Sequence, residues 1–420
     1  MPEVSIADLL PYANNARTHS AEQIKQVAAS IKEFGFTNPI LIDENNVIIA
    51  GHGRLQAAKS LGMASVPVRI LDNLTDDQKK AYVIADNQLA LNAGWDIDLL
   101  KIELEELKLN DFDLALTGFD DDFISGLLHK DTEGLTDEDA TPDPPEDPVS
   151  VLGDVWILGN HRVMCGDSTS IDAVEKLMDG QKADMVFTSP PYNAGKSESL
   201  SGNTHSGDNK YNDYIDNKPE SEYLDLLIGF TNAWLSHCEF MAVNLQQLAG
   251  NKKSFVDYMA HYKNNLIDVC IWDKGHAAPQ MAKNVLNSCF EYILLITEKD
   301  NPSRSIPNAN FQGTISNVYN GPPNRANKFS KVHAATFPVD FAKWGISSFT
   351  SLSSLISDPF GGVGTTLIAA EKTNRNAFLM ELDPKYVDVI ITRWQDFTGQ
   401  EAVHETGKTF NAMKNHQEAA

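Results

Sequence analysis

The chain has 420 residues, 42% of them hydrophobic, and a formal net charge of −24, a length with room for two or three domains and a substantial core. No run of about 18 apolar residues occurs, and the start Met1-Pro2-Glu3-Val4 lacks a basic-then-apolar signal. A soluble, cytoplasmic protein is therefore expected.

In chain order, Ser20-Ala21-Glu22-Gln23 reads as a capping box, and Ile24, Val27, Ala28 and Ile31 recur at helical spacing until Gly35 stops the helix. Two short strands follow, Ile40 to Ile42 and Val47 to Ala50, across an Asn45-Asn46 turn. Gly51-His52-Gly53-Arg54 then leads into a helix from Leu55 to Leu61. A glycine-flanked Arg54 at a helix start is either an anion site, where guanidinium and backbone N–H groups converge, or a tight turn with a surface arginine. Thr75 to Asn87, opened by the capping box Thr75-Asp76-Asp77-Gln78, and Ile97 to Leu109 are further helices, so residues 73–130 form a helical extension.

Between Asp96 and Asp147 stand 18 acidic residues against Lys101, Lys108 and Lys130, a net of −15 out of −24. Residues 131–150, with Asp137-Glu138-Asp139 and Pro142-Asp143-Pro144-Pro145, have no apolar period and read as an extended acidic linker. Cys165, Cys238, Cys270 and Cys289 lack metal-ligand spacing, so reduced core thiols and no metal site are expected.

Ala183-Asp184-Met185-Val186-Phe187 has the pattern of a buried strand, and it delivers Thr188-Ser189-Pro190-Pro191-Tyr192-Asn193 to a strand's carboxyl end, where open α/β sheets bind ligands. Alone, such a run is a proline-rich turn. Its chemistry also suits an exocyclic amine: the Ser189 hydroxyl and the Pro190 carbonyl can accept from N–H groups as charge develops. Pro190 and Pro191 stiffen the pair, and Tyr192 offers a ring on which an extruded base can stack. Residues 194–218 have no apolar period and suit a flap or ordinary disorder. Leu355 to Ser357 reads as a strand, Asp358-Pro359-Phe360-Gly361-Gly362-Val363-Gly364-Thr365-Thr366 as a glycine turn, and Leu367 to Lys372 as a helix. That loop suits a dinucleotide, a phosphate or no ligand. A second strand, Ala377 to Met380, ends in Glu381, an acid placed for the hydroxyls of a ribose. The Gly-Lys-Ser/Thr ending of a phosphate-cradling loop is missing.

Taken together, residues 151–403 resemble the amino-methylating DNA methyltransferases that use S-adenosylmethionine, in the order where the catalytic motif precedes the cofactor motif. The likeness rests on both loops, on Trp156 to Arg162 and Cys165-Gly166-Asp167-Ser168, and on Glu381 to Tyr386 with Arg393-Trp394. It implies catalytic roles for Ser189, Pro190, Pro191 and Tyr192. It also implies that Asp358, Phe360, Gly361, Gly362 and Gly364 contact the methionine end of the methyl donor, that Glu381 holds its ribose and that Asp167 lies near its adenine. Thr188, His333, Phe337 and Thr365 are carried over with the cofactor segments, His333 without an acid–base role. Methylation at a ring carbon would need a cysteine in the catalytic loop, and none stands there. In a protein-glutamine methyltransferase the glycine motif would come first. Residues 301–330 occupy the place of a target-recognition region, with Arg304, Asn308, Gln312 and Arg325 of types that read base edges.

Residues 1–72 resemble the ParB-like domain, related in fold to sulfiredoxin, through Asn15 to His19, Phe34 to Pro39 and Gly51 to Arg54. That likeness implies phosphate or nucleotide contact by Arg17, His52 and Arg54. Sulfiredoxin's cysteine is absent, and no helix-turn-helix of the partition proteins is evident afterwards. The expected class is α/β: a Rossmann-like methyltransferase sheet, mostly parallel and seven-strand-like, preceded by a small α+β domain and followed by a polar tail from residue 404. The expected cofactor is S-adenosylmethionine. The expected partners are double-stranded DNA and a nucleotide at the ParB-like domain, with a homodimer allowed and no membrane. Ser before Pro-Pro-Tyr leans toward cytosine N4, whereas the amino-terminal fusion leans toward adenine, which is placed first. A binding regulator with a non-catalytic methyltransferase scaffold is the alternative of another class. The acidic linker either keeps the domains soluble and apart or competes with DNA for the catalytic domain.

Overall fold

Short strands build the first sheet: β1 (Glu3–Ser5), the apolar triplets β2 (Ile40–Ile42) and β3 (Ile48–Ala50), and the longer β4 (Ser65–Ile70), in the order β1-β4-β2-β3. Ile40, Ile42, Ile48, Leu55, Val66 and Val68 form its core. Helix α1 (Ala21–Phe34) begins where the capping box places it, the Ser20 side chain accepting from Gln23 N at 3.1 Å, and ends at Gly35 with φ 77°. Helix α2 (His52–Ser60) starts three residues before Leu55, because Gly51 takes φ 100° as its N-cap and turns Gly-His-Gly-Arg into the first helical turn. In α3 (Asp76–Leu91) the capping box is reciprocal: Gln78 N donates to Thr75 Oγ1 at 3.3 Å and Thr75 N to Gln78 Oε1 at 2.9 Å. Helices α4 (Ile97–Leu109) and α5 (Asp121–Leu127) complete this unit, which runs to Leu128.

This computed structural model describes residues 1–13, 15–91, 95–128, 131–193, 218–275, 284, 286–307, 309, 315–323 and 337–418. The chain from His129 onward forms the second compact unit. Its strands are β5 (Val155–Leu158), β6 (His161–Cys165), β7 (Met185–Thr188), β8 (Met241–Leu245), β9 (Leu266–Asp273), β10 (Phe290–Ile296), β11 (Val318–Asn320), β12 (Leu355–Asp358), β13 (Asn376–Glu381) and β14 (Val403–His404). They lie in the order β11-β9-β10-β8-β7-β12-β13-β6-β5-β14. The expected seven-strand-like sheet is thus a ten-stranded one. Its five central strands, β8 to β6, are mutually parallel, while β10, β5 and β14 join antiparallel to their inner neighbours. Every residue of β7, β8 and β12 is buried, as in strands covered on both faces.

Helices α6 (Ile171–Met178), α7 (Glu220–Leu235) and α8 (Lys252–His261) cover one face, with Leu177, Phe230, Trp234 and Tyr258 in the core. Helices α9 (Val339–Phe349), α10 (Thr365–Lys372) and α11 (Pro384–Thr398) cover the other, with Phe341, Ile346, Leu367 and Trp394. Helix α12 (Phe410–Glu418) follows β14, so part of the expected polar tail is ordered and packs through Phe410. The chain enters β8 on one side of β7 and β12 on the other, so β7 and β12 flank a topological switch point. No helix among the described residues is long and apolar enough to cross a membrane.

Residues 131–150 carry no helix or strand, yet they are not a loose spacer. Thr132 N donates to Lys372 O and Leu135 N to Phe397 O, both at 2.8 Å, and Asp139 Oδ1 accepts from Val339 N at 3.2 Å. Asp131 pairs with Lys343 at 2.5 Å, and Glu138 pairs with Lys372. Buried Asp388 accepts from Val149 N, Ser150 N and Ser150 Oγ. The extended backbone finds its partners on α9, α10 and α11, and its carboxylates meet the cations there. Of the cysteines, Cys165, Cys238 and Cys270 are buried as expected, and burial pushes the thiols of Cys165 and Cys270 up to about 12. Cys289 departs from the expectation and is exposed.

Candidate active site

Both loops singled out by sequence emerge at the switch point. Strand β7 pairs with β12 through Ile356 and Met185, which brings the strand ends together. There Thr188 Oγ1 donates to Asp358 Oδ1 at 2.7 Å, joining the two loops. Asp358 is 1% exposed; it also accepts from Phe360 N at 3.0 Å and from Thr366 Oγ1 at 2.6 Å. Its carboxylate therefore faces inward and shapes the glycine turn. Burial pushes its pKa up to about 6 against the pull of those three donors.

Gly364 takes φ 79° as the N-cap of α10, and a Cβ on Gly361 would crowd Met380 O and Ile390 at 3.2 to 3.3 Å, so neither position accepts a larger residue without strain. Gly362 N donates to Glu381 Oε2 at 2.8 Å, and Glu381 Oε1 accepts from Asp383 N at 3.0 Å. Burial raises the Glu381 carboxyl to about 7. A Cβ on Gly362 would meet nothing closer than Phe360 O at 3.9 Å, so a ligand can approach the backbone there. Phe360 packs edge-on against Phe230 with centroids 5.0 Å apart. Thr365 is buried, and its Oγ1 accepts from Arg393 at 3.4 Å. Asp167 follows β6, beside β13. Gly166 N donates to Glu381 O at 2.9 Å, Ser168 Oγ to Pro359 O at 2.5 Å, and Asp167 Oδ1 accepts from Thr169 N and Oγ1. Asp167, the glycine turn and Glu381 are thus grouped along neighbouring strand ends.

The Thr-Ser-Pro-Pro-Tyr turn is held from outside. Pro191 O accepts from Tyr223 Oη at 2.8 Å and Tyr192 O from Asn251 Nδ2 at 2.6 Å, while Asn193, at φ 54°, exchanges bonds with Lys218. Ser189 Oγ donates to Tyr192 Oη at 2.9 Å. Tyr192 Oη in turn lies 2.7 Å from Glu291 Oε2 and 2.9 Å from Asn244 Oδ1. Glu291 is 4% exposed and paired with Lys274. Burial first, then the Glu291 charge, hold the Tyr192 phenol well above its ordinary pKa. Among the described residues, Ser189 Oγ and Pro190 O accept no hydrogen bond, which leaves their lone pairs available. Tyr223, Asn244, Asn251, Lys274 and Glu291 are absent from the sequence expectations; each comes from a segment remote from the motif.

Other expected residues lie elsewhere. Phe337 packs edge-on against Phe187 and Phe341, at 5.7 and 5.6 Å between centroids. Arg304 binds Asp268 at 2.6 Å. Asp268 stands four residues before Trp272, the register partner of Glu291, so Arg304 is roughly 13 Å down the strand from the edge that holds Tyr192 and Glu291. His333, Asn308, Gln312 and Arg325, and residues 194–217 of the expected flap, lie outside the described residues. In the first unit, Arg54 donates to Asn38 O at 3.1 Å, Arg17 to Asn87 O at 3.2 Å, and His52 Nε2 accepts from Tyr12 N at 3.3 Å. Burial lowers the pKa of both His52 and Arg54.

Comparison with known proteins follows the same division. A family model described as DNA methylase matches residues 183–392, half of the chain. Models described as ParB N-terminal domain and ParB-methyltransferase HTH domain match residues 1–88 and 98–152. The latter spans α4 and α5, which corrects the expectation that no helix-turn-helix follows the ParB-like domain. ParB-like nuclease domain-containing protein YnaK of Escherichia coli K12 is 61% identical over 75 residues, 18% of this chain and 86% of that one. Type II methyltransferase M.Cfr9I of Citrobacter freundii is 25% identical over 134 residues, 30% of this chain and 43% of that one, so the chain spans less than half of that relative. Among solved structures, the PvuII DNA methyltransferase (cytosine-N4-specific) superposes with a TM-score of 0.42 at 16% identity, over 60% of this chain and 89% of that one.

Proposed function

This chain belongs to the DNA methylase family and carries a ParB N-terminal domain in the same polypeptide, and from that premise we propose that it methylates the exocyclic amine of a base flipped out of duplex DNA. The methyl donor is S-adenosylmethionine, which supplies an electrophilic methyl group on a sulfonium. The observation that carries the reading is the pair of available acceptors, Ser189 Oγ and Pro190 O, at the switch point beside the glycine turn. An amine in conjugation with its ring is a poor nucleophile. Two acceptors aimed at its N–H groups favour the pyramidal nitrogen of the transition state over the planar one of the ground state.

The residues present suit the donor. Glu381 has the carboxylate oxygens that ribose hydroxyls need, Asp167 stands on the adjacent strand end, and the turn from Phe360 to Gly364 lets a ligand approach the backbone at Gly362. Tyr192 presents a partly exposed ring beside the acceptors for the base to stack on. Adenine N6 stays the preferred target because of the ParB-like fusion. Ser189 in place of an acid supports cytosine N4 as the alternative. Gly51 to Arg54, at the start of α2, is read as a phosphate or nucleotide contact of the amino-terminal domain.

The test is transfer from labelled S-adenosylmethionine to mixed-sequence duplex DNA, followed by digestion to nucleosides and mass spectrometry. Label in N6-methyladenine or N4-methylcytosine supports the enzyme and identifies the base. No label on any DNA, with cofactor binding intact, would favour the binding-regulator reading.

A further inference from the structure

Glu291 and Lys274 form a nearly buried ion pair at the edge of the sheet where the catalytic turn lies, with side chains 5% and 14% exposed. Such pairs seldom stabilise a fold more than apolar residues of the same size would, because desolvating both charges offsets their attraction. The position of this one suggests another use. Strand β10 runs antiparallel to β8, so its beginning, with Glu291, returns to the catalytic edge beside Asn244. Lys274 arrives from the end of β9.

A hydroxyl can donate or accept, and Ser189 alone has no fixed polarity. The carboxylate can only accept. Tyr192 has one phenolic proton, and Glu291 Oε2 at 2.7 Å is both the nearer acceptor and the charged one, with Asn244 Oδ1 at 2.9 Å as a weaker second branch. With that proton directed to Glu291, Tyr192 Oη can only accept from Ser189, at 2.9 Å. The Ser189 proton is thereby committed to Tyr192.

We propose that Glu291, held by Lys274 and acting through Tyr192, is a positioning residue that fixes Ser189 as a hydrogen-bond acceptor toward the target base. The chain of donors runs Ser189 to Tyr192 to Glu291, which leaves the Ser189 oxygen to act as an acceptor. A base edge carrying an amine is then welcomed, and one carrying a carbonyl meets lone pair against lone pair. Glu291 thus selects adenine or cytosine over guanine or thymine at this position without touching the base. The inference rests on the methyltransferase reading and deepens it.

The test compares steady-state methyl transfer to duplex DNA by wild type, Glu291→Gln, Tyr192→Phe and the double variant, together with S-adenosylmethionine affinity and melting temperature. In Glu291→Gln, Lys274 draws the amide oxygen and leaves an N–H facing Tyr192. That N–H competes with Ser189 for the Tyr192 oxygen while the phenolic proton is left to Asn244 alone, so Ser189 loses its fixed polarity and kcat should fall about tenfold with KM for DNA held. Tyr192→Phe keeps the ring but frees the Ser189 proton, and kcat should fall about a hundredfold, as when one oriented polar group is lost from a transition-state site. The double variant should be no slower than Tyr192→Phe, because both changes break one chain.

Wild-type kcat in Glu291→Gln would overturn the inference. So would losses that multiply in the double variant, or a loss that follows cofactor affinity or melting temperature instead of kcat. If Glu291→Gln does not fold, a cycle of Tyr192→Phe with Ser189→Ala decides: the pair no slower than Ser189→Ala supports the chain, and multiplied losses reject it. Absence of transfer by the wild type would refute the methyltransferase reading itself and this inference with it.

Discussion

Thr188 Oγ1 donates a 2.7 Å hydrogen bond to Asp358 Oδ1, and through it the Ser-Pro-Pro-Tyr turn and the glycine turn share one buried carboxylate. The two residues are 170 positions apart in sequence and become neighbours only because β7 and β12 pair in parallel at the switch point. Thr188→Val keeps the branched shape and removes the donor. It should cost about 1–3 kcal/mol of stability, the usual consequence of leaving a buried acceptor short of a partner, and should weaken S-adenosylmethionine binding. Thermal unfolding and titration calorimetry read both; an unchanged melting temperature would remove Thr188 from the joint.

Glu381 gives a pH dependence with a definite sign. Its carboxyl is raised to about 7 from 4.5 by burial, so the folded chain binds this proton more tightly than the unfolded chain does. The stability it contributes is present below pH 4.5 and is lost as pH rises toward 7. Ribose hydroxyls need the ionised acceptor, so cofactor affinity should move the other way, rising from about pH 6 to about pH 8 by up to tenfold. Glu381→Gln should flatten that profile. Dissociation constants across the range, for both proteins, settle the point.

Tyr192→Ala removes the ring as well as its hydroxyl. Stacking of a base on an aromatic face is worth about 1–3 kcal/mol, so DNA affinity should drop roughly tenfold to a hundredfold along with methyl transfer. Binding to a duplex with an unpaired target base measures the first effect and nucleoside analysis the second. Full activity in this variant would remove Tyr192 from the base pocket.

Gly134 lies against the Phe397 ring so closely that an added Cβ would overlap it. Gly134→Ala should therefore destabilise the second unit by about 1–3 kcal/mol, as overpacking does elsewhere, and lower its melting temperature by several degrees. A loose acidic spacer would tolerate the change without effect.

What sequence alone conveyed was local. The caps at Ser20 and Thr75, the strand before Thr188 and the strand–glycine–helix run around Asp358 each declare themselves within about ten residues, because neighbouring backbone groups satisfy one another there. Glu291 did not, because Phe290-Glu291-Tyr292-Ile293-Leu294-Leu295-Ile296 reads as an apolar strand with one acid near its start. Only the antiparallel return of β10 shows that the acid faces Tyr192. The pairing of Arg304 with Asp268 was equally hidden, because the two stand 36 residues apart in sequence. The linker read as an extended acidic spacer because Lys343 and Lys372, which pair with Asp131 and Glu138, and Arg393, which holds the Glu138 carbonyl, lie more than 200 residues away.

The docked segment also says where the catalytic unit can be cut. Arg393 donates both to Glu138 O at 2.6 Å and to Val363 O at 2.8 Å inside the glycine turn, so the backbone ahead of β5 is braced against that turn by a single guanidinium. A fragment beginning at Val151 would expose the Phe397 ring and leave Asp388 and Arg393 without their partners from the docked segment. One beginning at Asp131 keeps them all, and limited proteolysis should trim the chain to that boundary and no further.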